Sequence, residues 1–172
     1  MNERVFIEEN GQFQFDFSAA LWATDQLNSQ YTKISSVLSD VDFIAETDTE
    51  ILLIEYKNTD VENAADPGAF VQKLREDKHY ISMAMKFYGG LLYLLALKHT
   101  KPFCYIYILE CATAGSTERL RIKTKIGSKL PFELQKEPEF NQQLIKRFEI
   151  LSISEWNNNP AYRQFPIAAI GS

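Results

Sequence analysis

Two short apolar segments joined by a polar turn stand out in the first third of the chain. Val41 to Ala45 and Ile51 to Ile54 are rich in isoleucine, leucine, valine and phenylalanine, and the residues between them are polar. Apolar runs of this length and composition are typical of buried strands. The pattern therefore predicts a buried β-hairpin with its turn at Asp48-Thr49.

The residues before this hairpin predict a strand pair and a helix. Arg4 to Glu8 and Phe13 to Phe17 alternate between apolar and polar residues around an Asn-Gly pair, which is a strong hairpin signal. Ser18 to Asn28 has helical spacing, with Ser18 as the expected N-cap.

The residues after the hairpin predict a long helix and a central strand. Apolar positions recur at helical spacing from Ala69 to Leu97, and Gly89-Gly90 is expected to kink or split this helix. Phe103 to Cys111 is continuously apolar, which favours a strand at the centre of a sheet.

The C-terminal third predicts a mixture of strands and helices. Glu118 to Ile126 alternates between basic and apolar residues, which predicts a half-buried strand with a basic outer stripe. Such a stripe either follows a phosphate backbone or keeps a sheet edge from pairing with another chain. The expected order is then a helix at Glu139 to Lys146, a strand at Phe148 to Ile153, a short helix capped by Ser154, and a packed tail at Tyr162 to Ile170.

These elements predict a fold of the α/β class, as a single domain over residues 1–172. We expect a mixed central sheet with flanking helices. The hairpin lies at the middle of that sheet, and the helices that begin at Ser18 and Ala69 cover its faces.

Charged residues stand at the ends of the two hairpin strands, where burial is costly unless they are paired. A two-residue turn places Asp42 opposite Glu55, with Cβ atoms about 4.5–5.5 Å apart, and a four-residue loop over Thr47 to Glu50 keeps the same pairing. A three-residue turn would separate the two acids. Side-chain alternation puts Lys57 on the face of Glu55. Two close carboxylates repel each other, and a divalent cation relieves the repulsion. Mg²⁺ suits such a pair, because it takes oxygen ligands.

The order Asp42, hairpin, Glu55, Tyr56, Lys57 resembles the Asp…Glu-x-Lys motif of the PD-(D/E)XK nuclease superfamily, the restriction-endonuclease-like fold. The resemblance implies that Asp42, Glu55 and the main-chain carbonyl of Tyr56 bind Mg²⁺, with Mn²⁺ as a substitute. It also implies that Lys57 positions or activates the attacking water. Val41 stands where the motif has proline, which is a departure from the pattern.

The resemblance further implies a Mg²⁺-dependent phosphodiester hydrolase, of the endonuclease type, that acts on DNA. The family often has an extra acid on its first helix, for which Asp25 is the candidate against the alternative of a partly exposed helix acid. Gln72, Lys73 and Lys78 are either phosphate contacts or a solvated helix face. Cutting of both strands by this fold often involves a dimer, so a homodimer is a further expectation.

Other interpretations stay open. The chain could be a nuclease-like domain that binds nucleic acid or a protein partner without cutting, because fold does not imply function. Asp42, Glu55 and Lys57 could instead be a structural ion-pair cluster at a sheet edge. In the polar loop after the hairpin, Asp60 and Glu62 either approach the site or remain solvated.

Composition and charge narrow the class of protein. The chain has 172 residues, 45% hydrophobic and 13% aromatic, as expected for a soluble globular protein. A formal net charge of −5 does not indicate a nucleic-acid binder, although local charge can override the total. Cys104 and Cys111 are expected to be core thiols in a reducing cytoplasm. No signal peptide and no membrane partner are expected, because no long apolar run follows Met1.

Overall fold

The chain forms an α/β structure built from two sheets and flanking helices. The computed structural model describes residues 4–34, 37–60, 66 and 68–171. The strands within these ranges are β1 (Val5–Ile7), β2 (Phe13–Asp16), β3 (Trp22–Thr24), β4 (Phe43–Glu46), β5 (Ile51–Asn58), β6 (Phe103–Glu110), β7 (Arg147–Leu151) and β8 (Ile167–Ala169). The α-helices are α1 (Leu27–Tyr31), α2 (Ala69–Lys73), α3 (Asp77–Ala96), α4 (Ser116–Gly127) and α5 (Ile153–Asn158).

The larger sheet has the strand order β3-β4-β5-β6-β7. The first three strands pair antiparallel, whereas β5, β6 and β7 run parallel to one another. Parallel neighbours need a crossover connection, and α3 and α4 provide it between β5 and β6 and between β6 and β7. The expected mixed central sheet is therefore present.

The register of β4 and β5 follows the predicted two-residue turn. Phe43 pairs with Ile54 at the far end of the ladder. At the turn, the N–H of Thr47 donates to the carbonyl of Glu50 at 2.8 Å, so that Asp48-Thr49 forms the loop. Both strands are almost completely buried, as the apolar pattern predicts.

The two faces of the larger sheet are covered by different layers. On one face, Leu53 and Tyr105 pack with residues of α3 and α4 such as Phe87. On the other face, the three-stranded sheet β1-β2-β8 and α5 contribute Phe15 and Trp156 to a second core cluster. Every β5 side chain up to the site is therefore enclosed between layers.

The glycine pair in α3 does not split the helix, which corrects that part of the expectation. The helix runs unbroken over Asp77–Ala96, and the break falls earlier, between α2 and α3. A Cβ at Gly89 would lie 1.7 Å from the carbonyl oxygen of Ser39, and one at Gly90 would lie 2.3 Å from Cδ2 of Leu53. The glycines therefore serve close packing.

Ser18 to Asn28 and Glu118 to Ile126 do not have the predicted secondary structure, because short patterns of apolar positions fit both the helical and the strand period. Ser18 to Asn28 contains the edge strand β3 followed by α1, not one helix. Glu118 to Ile126 lies in α4 rather than in a strand, and its buried residues Ile122 and Ile126 are four apart, as one helix face requires. The basic residues of this segment therefore form no strand-like stripe.

The segment Glu139 to Lys146 is not the predicted helix. Its backbone is irregular, and the Gln135 amide accepts N–H groups of Leu144 and Ile145 at 2.9 Å each. The strand predicted at Phe148 to Ile153 is present as β7, at the edge of the larger sheet, and Ser152 rather than Ser154 caps α5.

The predicted packing of the tail is confirmed. Tyr162, Phe165 and Ile167 are buried in the second core cluster, and β8 pairs with β2. Among the residues described, no helix combines the length and apolar character needed to cross a bilayer.

Candidate functional site

Asp42 and Glu55 meet at the open end of the central hairpin. Asp42 directly precedes β4, and continuation of the β4–β5 register by one rung places it opposite Glu55. Oδ2 of Asp42 accepts the backbone N–H of Tyr56 at 2.8 Å. This bond holds the Asp42 carboxylate against the β5 backbone.

Glu55 is a buried carboxylate with one unsatisfied oxygen. The residue is 5% exposed, and its Oε1 accepts from Nζ of Lys86 on α3 at 2.7 Å. Oε2 has no hydrogen-bond partner within the described residues. A buried carboxylate oxygen without a partner is costly. Oε2 of Glu55 can therefore bind one further ligand.

The pKa values of the site follow from burial and mutual charge. Burial raises the pKa of Glu55 to about 8, with a further rise from the charge of Asp42 and an opposing effect of Lys86. Burial also raises the pKa of Asp42, against the effects of Lys86 and the Tyr56 N–H. Burial would lower the pKa of Lys86, but the two carboxylates outweigh it and raise that pKa.

A cavity of about 410 Å³ borders Asp42, and we call it the acidic pocket. Its lining carboxylates are Glu8, Glu9, Asp25, Asp40 and Asp42. Glu8 is already used structurally, because its carboxylate accepts three backbone N–H groups of the β1–β2 turn. The remaining acids make this side of the site attractive to cations.

A second cavity of about 400 Å³ borders Glu55, and we call it the basic cleft. It lies between β5 and β6 on one side and α2 and α3 on the other. Its charged lining residues are Lys57, Lys73, Glu76, Lys78, Lys86 and Glu55. With four lysines against two glutamates, this side of the site favours anions.

The other two predicted site residues, Tyr56 and Lys57, lie at different positions relative to Asp42 and Glu55. Lys57 is exposed and lines both the acidic pocket and the basic cleft. It does not hold Glu55; that ammonium comes from Lys86. The Tyr56 ring is buried on the opposite face of the sheet, while its backbone lies at Asp42.

Of the secondary candidates, Asp25, Lys73 and Lys78 line a cavity at the site and Gln72 does not. Asp25 follows β3 rather than lying on a helix, and it lines the acidic pocket while accepting from Nε2 of Gln26 at 2.5 Å. Lys73 and Lys78 line the basic cleft, whereas Gln72 is not part of its lining.

Of the two candidate acids in the loop after the hairpin, the structure describes Asp60. Asp60 accepts the N–H of Ala112 through both oxygens, at 2.8 and 3.0 Å, and so fastens the chain after β6. Glu62 lies outside the described residues.

Sequence reasoning missed Lys86 and Tyr107. Lys86 is the one charged residue between Met83 and Leu97, and that isolation in an apolar helix segment was a usable signal. Tyr107 is the register partner of Glu55 on β6 and lines the basic cleft. It is one of several aromatic residues in a continuous apolar strand, so nothing in the sequence distinguished it.

The acidic pair fits a hard divalent cation through its two carboxylates. Among the residues described, no group of three or more histidine, cysteine or acidic side chains is arranged to hold a metal ion. Mg²⁺ needs fewer protein ligands, because it is usually bound by one or two carboxylates together with waters and substrate phosphates. The unsatisfied Oε2 of Glu55, with Asp42 opposite, matches that requirement.

The site combines oxygen ligands for a cation with ammonium donors for an anion. Asp42 and Glu55 supply the first, and Lys57 with its neighbours in the basic cleft supplies the second. Both lie at the carboxyl end of β5, where ligands of open α/β sheets commonly bind. No known family model, curated protein or solved structure matches this chain.

Proposed function

We propose that this protein is a Mg²⁺-dependent phosphodiester hydrolase of the PD-(D/E)XK type that acts on DNA. The observation that carries the proposal is the rung formed by Asp42 and Glu55, beside a lysine-lined cleft. Oε2 of Glu55 is buried there and has no hydrogen-bond partner among the described residues. A purely structural ion pair would leave this carboxylate oxygen buried without a hydrogen bond, which costs stability. A cation bound by the two carboxylates, together with a phosphate bound by the lysines of the basic cleft, would balance the charge of both groups.

Asp42 and Glu55 would hold the Mg²⁺, together with the main-chain carbonyl of Tyr56. When bound, the ion would lower the pKa of a coordinated water and neutralise charge on the leaving oxygen. Lys86 keeps Glu55 oriented through its 2.7 Å contact with Oε1, which leaves Oε2 for the ion. The N–H of Tyr56 performs the same task for Asp42.

Lys57 is the residue that we assign to the attacking water. It follows Glu55 by two positions on β5 and borders both cavities, so it stands between the cation side and the anion side. There its ammonium would orient the water and stabilise charge that develops on the phosphate, whereas removal of the water's proton by Lys57 would need the neutral amine. Its exposure leaves the ammonium free to move as the substrate enters.

The direct test is cleavage of plasmid and single-stranded DNA with Mg²⁺ or Mn²⁺, compared with the same reactions in EDTA. We expect metal-dependent cutting that falls about 10²–10⁴-fold in Lys57→Ala, because one group that moves or orients a proton is worth about that factor. Asp42→Asn should abolish cutting, whereas Asp48→Asn, in the turn at the other end of the hairpin, should leave it unchanged. A folded wild type that cuts no nucleic acid with either metal contradicts the proposal.

One observation favours the alternative, a nuclease-like domain that binds nucleic acid or a protein partner without cutting. Lys86 already neutralises part of the Glu55 charge, which lowers the need for a cation. This alternative predicts that no nucleic acid is cut with either metal, and in its nucleic-acid-binding form it also predicts DNA binding that does not require Mg²⁺. Cutting that depends on Asp42 rules it out.

A further inference from the structure

Tyr107 has a buried hydroxyl that the fold leaves unsatisfied. The residue is fully buried, and its hydroxyl has no hydrogen-bond partner in the part of the chain that the structure describes. Buried tyrosine hydroxyls normally find a partner, since an unmet hydrogen bond costs stability. Tyr107 is one of the residues that line the basic cleft, so a ligand bound there would lie against it.

Tyr105 shows that a buried tyrosine hydroxyl on this face of the sheet can find a hydrogen-bond acceptor. It is also fully buried, stands two positions earlier on β6, and points to the same side. Its hydroxyl donates to the carbonyl of Met83 on α3 at 2.9 Å. The packing of α3 thus provides an acceptor at Tyr105 and none, among the described residues, at Tyr107.

With Oε2 of Glu55 assigned to the cation, the lining around Tyr107 favours an anionic oxygen of a ligand as the partner of its hydroxyl. Lys57, Lys73 and Lys78 line the same cleft, and within the described residues none of them forms an ion pair. A tyrosine with a hydroxyl donor that is unpaired among the described residues and three lysines in the same lining both favour an acceptor that carries negative charge.

We propose that Tyr107 is a phosphate-binding residue, whose hydroxyl donates to a backbone phosphate oxygen of the nucleic acid in the basic cleft. This inference rests on the proposed function for the identity of the ligand and extends it to a residue outside the Asp…Glu-x-Lys motif. The phosphate would lie beside Glu55, the register partner of Tyr107, in the cleft lined by the three lysines that form no ion pair among the described residues. Lys86, which is paired with Glu55, is not one of them.

The test compares Tyr107→Phe with Tyr105→Phe as a matched control. Binding of a fluorescein-labelled DNA oligonucleotide, as single strand and as duplex, is measured by anisotropy in low-salt buffer with EDTA, and the melting temperature of each variant is measured alone. Tyr107→Phe should raise Kd roughly tenfold, the worth of one hydrogen bond to a charged group, without lowering the melting temperature. Tyr105→Phe should lower the melting temperature and leave Kd unchanged.

The lysines provide an independent arm. Lys73→Ala and Lys78→Ala should each weaken binding and reduce the slope of log K against log salt by about one, as expected for a lost phosphate contact. Lys123→Ala, an exposed lysine on α4 away from the cleft lining, should change neither.

Three results would overturn the inference: absence of DNA binding by the wild type, equal Kd for wild type and Tyr107→Phe, or a loss of stability in Tyr107→Phe that matches that of Tyr105→Phe. The binding measurement needs no catalysis. Weaker binding by Tyr107→Phe in a protein that does not cut DNA supports the phosphate site and contradicts the nuclease. Metal-dependent cutting together with an equal Kd for wild type and Tyr107→Phe supports the nuclease and contradicts the phosphate site.

Discussion

Lys86 on α3 donates to Oε1 of Glu55 at 2.7 Å, and this contact joins the helix layer to the central sheet at the site. About a quarter of the Lys86 side chain is exposed, whereas Glu55 is almost fully buried. The ammonium therefore reaches inward from the cleft wall. It both neutralises the buried carboxylate and determines which of its oxygens remains open.

Loss of Lys86 should destabilise the protein through Glu55. Lys86→Met leaves a buried carboxylate facing Asp42 without its cation, and we expect the free energy of unfolding to fall by about 2 kcal/mol at pH 8.5, less than for a fully buried pair. Urea unfolding measures the loss. Adding Glu55→Gln to Lys86→Met should restore most of it, since the uncompensated charge is then gone. A double variant no more stable than Lys86→Met would contradict this account.

Mg²⁺ should stabilise the folded protein by binding to the acidic pair. At a metal concentration of a hundred times Kd the gain is about 2.7 kcal/mol, or a rise of roughly 5–10 °C in melting temperature for a chain of this size. Asp42→Asn and Glu55→Gln should each abolish the rise. Glu46→Gln removes a hairpin carboxylate that pairs with Lys101, away from the site, and should retain the rise. A wild-type melting temperature that does not respond to Mg²⁺ or Mn²⁺ argues against the metal site.

Acid should weaken the fold through Glu50, at the opposite end of β5. Hydrogen bonds from Arg147 lower the pKa of Glu50 to about 2 from its ordinary value of 4.5, outweighing the effect of burial. A lowered pKa means that the contribution of Glu50 to stability is complete above about pH 4.5 and is lost as the pH falls toward 2.

Glu50→Gln isolates that contribution. We expect it to cost about 2 kcal/mol at pH 7, because Arg147 loses its partner, and the cost should shrink between pH 4.5 and 2. Glu133→Gln, which removes a highly exposed carboxylate paired with Lys136, should have no measurable effect at any pH. A Glu50→Gln cost that does not vary with pH would count against the role of this ion pair.

The glycine pair of α3 should respond unequally to alanine. Gly89→Ala drives a methyl group into the backbone carbonyl of Ser39 and should cost about 3 kcal/mol. Gly90→Ala meets only the end of the Leu53 side chain, which can move, so a cost of about 1 kcal/mol is expected. Gly115→Ala points into open space and should stay within about 0.5 kcal/mol of the wild type in urea unfolding. Equal losses at Gly89 and Gly90 would contradict the described packing.

The hairpin and its register could be predicted because they depend on neighbouring residues. The apolar runs predict two buried strands, and a two-residue turn at Asp48-Thr49 predicts that Asp42 faces Glu55, in agreement with the observed register. The segment Glu118 to Ile126 could not be predicted in the same way. Its alternation suits a strand, but its burial in α4 depends on packing against α3 and β7.

By itself, the sequence determined the N-terminal turn, the central hairpin, the rung of Asp42 with Glu55, and the buried strand β6, since each follows from local period and turn length. Only the tertiary structure decided that Lys86, 31 residues beyond Glu55, would hold that carboxylate. It likewise decided that Tyr107 would lie beside Glu55 in a lysine-lined cleft. The physical reason is that contacts between distant elements depend on how the crossover helix docks on the sheet, and no local pattern encodes that geometry.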